Sequence, residues 1–141
     1  MLFPKKVKFR KWQSGRKNPK KLAERVETRG IEVSFGSHGL KALTGARVTS
    51  NQIESARKVI TRSKGKVGRL WIRIFPDRPF TKKGAEVPMG KGKGDPQGFV
   101  TEIKPGRILF EIDGVTDEAA REAFRKAGAK LPVKTMTVTR R

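Results

Sequence analysis

A chain of 141 residues with 34 Lys and Arg against 13 Asp and Glu has a formal net charge of +21 and a pI near 11.2. Such self-repulsion persists usefully only beside a concentrated anion, either nucleic acid or an anionic membrane. With no cysteine and a single histidine, His38, disulfides, thiolate metal sites and an imidazole metal cage are excluded, so neither a metal nor a cofactor is expected. No apolar run approaches the roughly 20 residues of a spanning helix. The opening Met-Leu-Phe-Pro followed by lysines is unlike a secretory signal, which points to a cytoplasmic protein.

The first 25 residues read as a basic N-terminal extension. Lys5, Lys6, Lys8, Arg10, Lys11, Arg16 and Lys17 all precede the first carboxylate, Glu24, and are the first candidate RNA-phosphate ligands. Interleaved Phe9 and Trp12 add aromatic surface suited to stacking or wedging on RNA bases. Residues 26–141 are expected to form a single domain. Ile31, Val33 and Phe35 alternate with Glu32 and Ser34, which predicts a strand ending at the loop-forming Gly36-Ser37-His38-Gly39, with His38 as a turn residue.

Thr49-Ser50-Asn51-Gln52 has the spacing of a capping box and predicts a helix with Ile53, Ala56, Val59 and Ile60 towards the core and Arg57, Lys58 and Arg62 on other faces. The run from Arg69 to Phe75 alternates, placing Leu70, Ile72 and Ile74 on one face and Arg69, Trp71, Arg73 and Phe75 on the other. Arg57, Arg62, Arg69 and Arg73 are therefore candidate RNA ligands on the body of the domain.

From 77 to 97 no periodicity appears, and three prolines with four glycines predict a long loop. Lys82 and Lys83 enter it, and its core is Met89-Gly90-Lys91-Gly92-Lys93-Gly94. The glycines permit close backbone approach while the lysines add mobile ammonium groups, a pairing that suits folded RNA or tRNA. It is not a nucleotide-triphosphate loop, because Gly94 is followed by Asp95-Pro96 and not by Ser or Thr and a helix.

Phe99 to Lys104 and Arg107 to Asp113 read as strands around Pro105-Gly106, predicting an antiparallel hairpin. Glu111 and Asp113, two residues apart without a histidine or nucleophile partner, read as solvated charges and not as an acid–base pair. Thr116 predicts the cap of a second helix, with Asp117 and Glu118 at its positive end, Arg125, Lys126 and Lys130 towards the other, and Ala120, Ala123, Phe124, Ala127 and Leu131 as its apolar stripe. Val133 to Val138 supplies a last strand. The class is α+β, two helices packed on a largely antiparallel sheet, with the basic arm and the Gly/Lys-rich loop as extensions. No constellation for catalysis emerges, so the chain reads as a non-enzymatic nucleic-acid binder, and neither helix joins a broad bulky apolar face to a basic one as a membrane-lying helix would.

Motifs along nearly the whole chain carry a resemblance. Lys8-Phe9-Arg10-Lys11, Gly15-Arg16, Ser34-Phe35-Gly36, Gln52-Ile53-Glu54, Trp71-Ile72-Arg73, Phe75-Pro76-Asp77, Met89 to Gly94, Asp113-Gly114-Val115, Ala120-Arg121-Glu122-Ala123-Phe124 and Lys130-Leu131-Pro132 resemble, in order and spacing, bacterial-type large-subunit ribosomal protein sixteen. The resemblance implies a structural protein of the large ribosomal subunit with three kinds of partner. These are large-subunit rRNA, neighbouring large-subunit proteins, and tRNA in the aminoacyl site and secondarily the peptidyl site; no membrane or small-molecule substrate is implied. In that family the arm and the Gly/Lys loop extend towards rRNA and tRNA. Two features depart from it: Pro88 stands where the family often has an arginine hydroxylated in some bacteria, and Lys17 to Arg29 is longer and more charged. The rival function is a general nucleic-acid-binding or packaging protein, since phosphate contacts alone do not distinguish targets.

Overall fold

A computed structural model describes residues 2–12, 25–82 and 92–140. The strands are β1 (His38–Ala42), β2 (Ala46–Thr49), β3 (Arg69–Ile72), β4 (Arg78–Lys82), β5 (Asp95–Ile103), β6 (Ile108–Asp113) and β7 (Thr135–Thr139), and the helices are α1 (Ser50–Lys64) and α2 (Asp117–Gly128). All strand pairs are antiparallel. The fold is α+β as predicted, but the sheet is divided in two: β3-β6-β1-β7 and β2-β5-β4.

Both helices begin where their caps dictate. Thr49 Oγ1 accepts from the Gln52 N–H at 3.3 Å and Gln52 Oε1 accepts from the Thr49 N–H at 2.9 Å, so the capping box satisfies two otherwise orphaned donors. Thr116 Oγ1 accepts from the Ala119 N–H at 3.2 Å, and Asp117 and Glu118 occupy the first turn, where the helix dipole favours anions. Ile53, Ala56 and Ile60 of α1 and Ala120, Ala123, Phe124 and Ala127 of α2 are fully buried. The helices pack on each other and on the strands, and Ala56, Ala120, Ala123 and Ala127 are four small side chains among their buried positions.

The central strand of the larger sheet, β6, has no alternation: Ile108, Leu109, Phe110, Glu111 and Ile112 are all buried. Such a run is what a strand covered on both faces requires. One face meets the helices; on the other, the segment before β1 lies across the sheet, so that a Cβ added to Gly39 would come within 2.7 Å of the Val33 side chain.

That covering segment is where the strand at Ile31 to Phe35 was expected, and it is not a strand. The amides of Ser34, Phe35 and Gly36 donate to Glu111 Oε1 at 2.7, 2.8 and 3.2 Å, so a buried side chain replaces a ladder partner. The first strand begins instead at His38, within the predicted loop. His38 is 8% exposed, and its ring lies 2.9 Å from Ser37 Oγ and 2.9 Å from Asp117 Oδ1, tying β1 to the start of α2. It is not a turn residue.

The hairpin predicted around Pro105-Gly106 does not form either: β5 and β6 lie in different sheets. Lys104 C=O accepts from the Arg107 N–H at 3.3 Å with Gly106 at φ 102°, the pattern of a type II turn, whose twist splays flanking strands. The chain turns a corner, which the Gly106 N–H fixes by donating to Ala42 C=O at 2.8 Å. Finally, both ends of the segment predicted to be irregular over 77–97 are strand. β4 and β5 pair with a register shift after Phe80, and Pro79 is tolerated because β4 is an edge.

Candidate nucleic-acid interface

The three-stranded sheet organises the basic extensions. Leu2 packs against the core, and the Phe3 ring meets Phe99 of β5 edge-on, centroids 6.4 Å apart. These contacts lay the start of the arm on the sheet, and from there Lys5, Lys6, Lys8 and Arg10 are exposed, with Lys11 half-buried. Phe9 is 59% exposed, with Lys8 Nζ 5.5 Å from its ring centre.

Trp12 ends the first described stretch and is held by the sheet. The Arg78 guanidinium lies 5.6 Å from its ring centroid, and the Arg78 side chain, only 10% exposed, donates from Nη1 to Glu102 Oε1. Glu102 also sits 3.5 Å from Arg47 Nε, its partner in β2–β5 register. One carboxylate thus serves two arginines, the more buried of which carries Trp12. From the far end of the β4–β5 connection, Lys93 Nζ donates to the Trp12 C=O.

The arm and the end of the Gly/Lys segment therefore meet. Lys82, Gly92 and Lys93 are exposed; Lys82 closes β4 opposite Asp95 in register, and Gly92 has φ 101° with open space where a Cβ would be. Gly94 follows, half-buried, just before β5. Of the other predicted ligands, Arg16, Lys17, Lys83, Met89, Gly90 and Lys91 lie outside the described residues.

The predicted ligands on the body occupy different elements. Arg62, in the last turn of α1, and Arg69, at the start of β3, are exposed. Arg57 is ion-paired within its helix to Glu54, and that hydrogen bond holds the Glu54 carboxylate below its usual range. Arg73 is engaged inside the protein: Nη1 donates to Glu111 Oε2, and the guanidinium lies 4.9 Å from the Phe35 ring, which stacks on Trp71 at 6.1 Å.

Glu111 is not the solvated charge that its spacing from Asp113 suggests. It is fully buried. Burial alone would raise its pKa, but the Arg73 hydrogen bond and the amides of Phe35, Gly36 and Ser34 outweigh that and hold it below the usual carboxylate value. Arg47, Arg78 and Glu102 escaped sequence reasoning: Pro79 hides β4, which carries Arg78, and nothing local pairs Arg47 of β2 with Glu102, which lies in the run read as a strand. The available signal was Arg47 and Glu102 on two β-patterned runs, legible only once β2 and β5 are paired.

Among the described residues no helix is long and apolar enough to cross a membrane. The chain matches the family model described as ribosomal protein L16p/L10e over residues 4–138, a span that begins within the arm, takes in both helices and the Gly/Lys segment, and ends within β7.

Proposed function

Because the chain belongs to the ribosomal protein L16p/L10e family, and so is a structural constituent of the large ribosomal subunit, we propose that it docks on large-subunit rRNA by a basic arm over residues 1–25. A single domain over 26–141 presents the Gly/Lys loop towards tRNA in the aminoacyl site and, next to it, the peptidyl site. The observation that supports this reading best is the bond from Lys93 Nζ to the Trp12 carbonyl. It brings two separately basic segments to one place on the three-stranded sheet, where their lysines act on the same polyanion. Phosphate contacts supply affinity, and shape with 2′-hydroxyl contacts supplies selectivity. The part played is scaffolding and positioning, without bond chemistry.

Salt titration of binding to folded large-subunit rRNA, with duplex DNA of equal phosphate content as competitor, tests the reading. Retention of rRNA in the presence of the duplex, with a steep dependence on salt, is expected. Equal competition by the duplex would favour a packaging protein. The tRNA role is read from large subunits reconstituted with a Gly92→Val protein: incorporation with slowed aminoacyl-tRNA accommodation is expected, and failed incorporation would restrict the loop to assembly.

A further inference from the structure

The sheet does more to Trp12 than tether the arm. The Arg78 guanidinium lies over its ring, and Arg78 is itself held by Glu102 with its side chain nine-tenths buried. Trp12 nevertheless remains 43% exposed. A large aromatic is thus fixed in orientation, backed by a cation and left open to solvent, while Lys93 is bonded to its own carbonyl. Phe9, by contrast, is 59% exposed, and the cation over its ring is the flexible ammonium of the adjacent Lys8.

We propose that Trp12 is a preformed stacking platform for an unpaired nucleobase, and that Lys93 meets the phosphate beside that base. The assignment rests on the RNA-binding reading above and deepens it by naming a single-stranded nucleotide as the group recognised. Three observations select this occupant over an apolar peptide. The surroundings are cationic, with Arg10 and Lys11 just before Trp12 in the chain and Lys93 Nζ on its carbonyl; a nucleobase brings a phosphate to use them, and a guanidinium behind an indole extends the stack that a base begins. Because Glu102 has already immobilised Arg78, little ordering is left to binding.

The test uses the full chain with Trp71→Phe, which makes Trp12 the sole tryptophan of the two in the sequence. A short single-stranded oligoadenylate is compared with an abasic sugar–phosphate strand of equal length and charge, at low salt. Oligoadenylate is expected to quench Trp12 fluorescence while the abasic strand binds without quenching. Trp12→Ala is expected to weaken oligoadenylate by roughly 5- to 100-fold and to leave the abasic strand unchanged; Trp12→Phe should keep most of the affinity. Equal weakening of both strands by Trp12→Ala, or no weakening of either, would overturn the platform while leaving RNA binding intact. Failure of both strands and of folded rRNA to bind the parent protein would overturn the RNA-binding reading and the platform with it.

Discussion

Glu111 Oε1 lies 2.7 Å from the backbone nitrogen of Ser34, 77 residues earlier in the chain. The same oxygen accepts from Phe35 and Gly36, and the other is bonded to Arg73, so one buried carboxylate fastens the segment that covers the outer face of the larger sheet. Glu111→Ala strands three amides and a guanidinium and is expected to cost about 3–5 kcal/mol. The urea unfolding midpoint measures this; a midpoint equal to that of the parent would remove Glu111 as the fastening.

The same contacts make stability depend on pH. A carboxylate whose folded pKa is depressed contributes stability that is present above its unfolded value, about 4.3 for Glu, and is lost as pH falls through the folded value. Glu111 is depressed in the folded protein, so the melting temperature should fall as the pH is lowered from about 5, and Glu111→Gln should flatten that acid limb. An acid limb of the same steepness in the variant would place the dependence on other carboxylates, such as the exposed Asp117, lowered chiefly by its bond to Arg121 and then by that to His38.

Phe124 sits at zero exposure on the buried stripe of α2. Phe124→Ala should cost roughly 3–5 kcal/mol by loss of transfer energy and creation of a cavity, seen as a lowered unfolding midpoint at unchanged slope. A loss below about 1 kcal/mol would mean that the helix repacks freely over the sheet.

Lys93 is exposed and bonds only to a backbone carbonyl among its described contacts. Lys93→Ala should leave the melting temperature within about 1 °C while reducing the salt slope of rRNA binding by up to about one, the contribution of one phosphate contact. A changed melting temperature with an unchanged slope would make the residue structural and not a ligand.

Both helices were legible because their information is local: a capping threonine, a period of 3.6 and a charge gradient. The elements that sequence reasoning displaced depend on partners far along the chain. Ile31 to Phe35 alternates like a strand, but its amides belong to Glu111, whose burial no local pattern reveals. Pro105-Gly106 announces a turn, but the turn type, and not its existence, decides whether the flanking strands pair. Pro79 and Pro96 mark loops in most chains; here they sit in an edge strand and beside a register shift, concealing β4, the first part of β5 and the Arg78–Glu102 pair under Trp12. The basic arm and the Gly/Lys segment were visible from composition. Their meeting at Lys93 and Trp12 was not, since it requires β4 and β5 to fold back on each other first.

Docking through the arm and the Gly/Lys loop is tested most directly by cryo-electron microscopy of large subunits reconstituted with this chain in place of their own copy. Density is expected to run from Lys5 to Trp12 and through the β4–β5 connection against rRNA, with the tip of that connection facing the aminoacyl-site tRNA when tRNA is bound. A body bound by its Arg62 and Arg69 side, with the arm and the loop both directed into solvent, would contradict it.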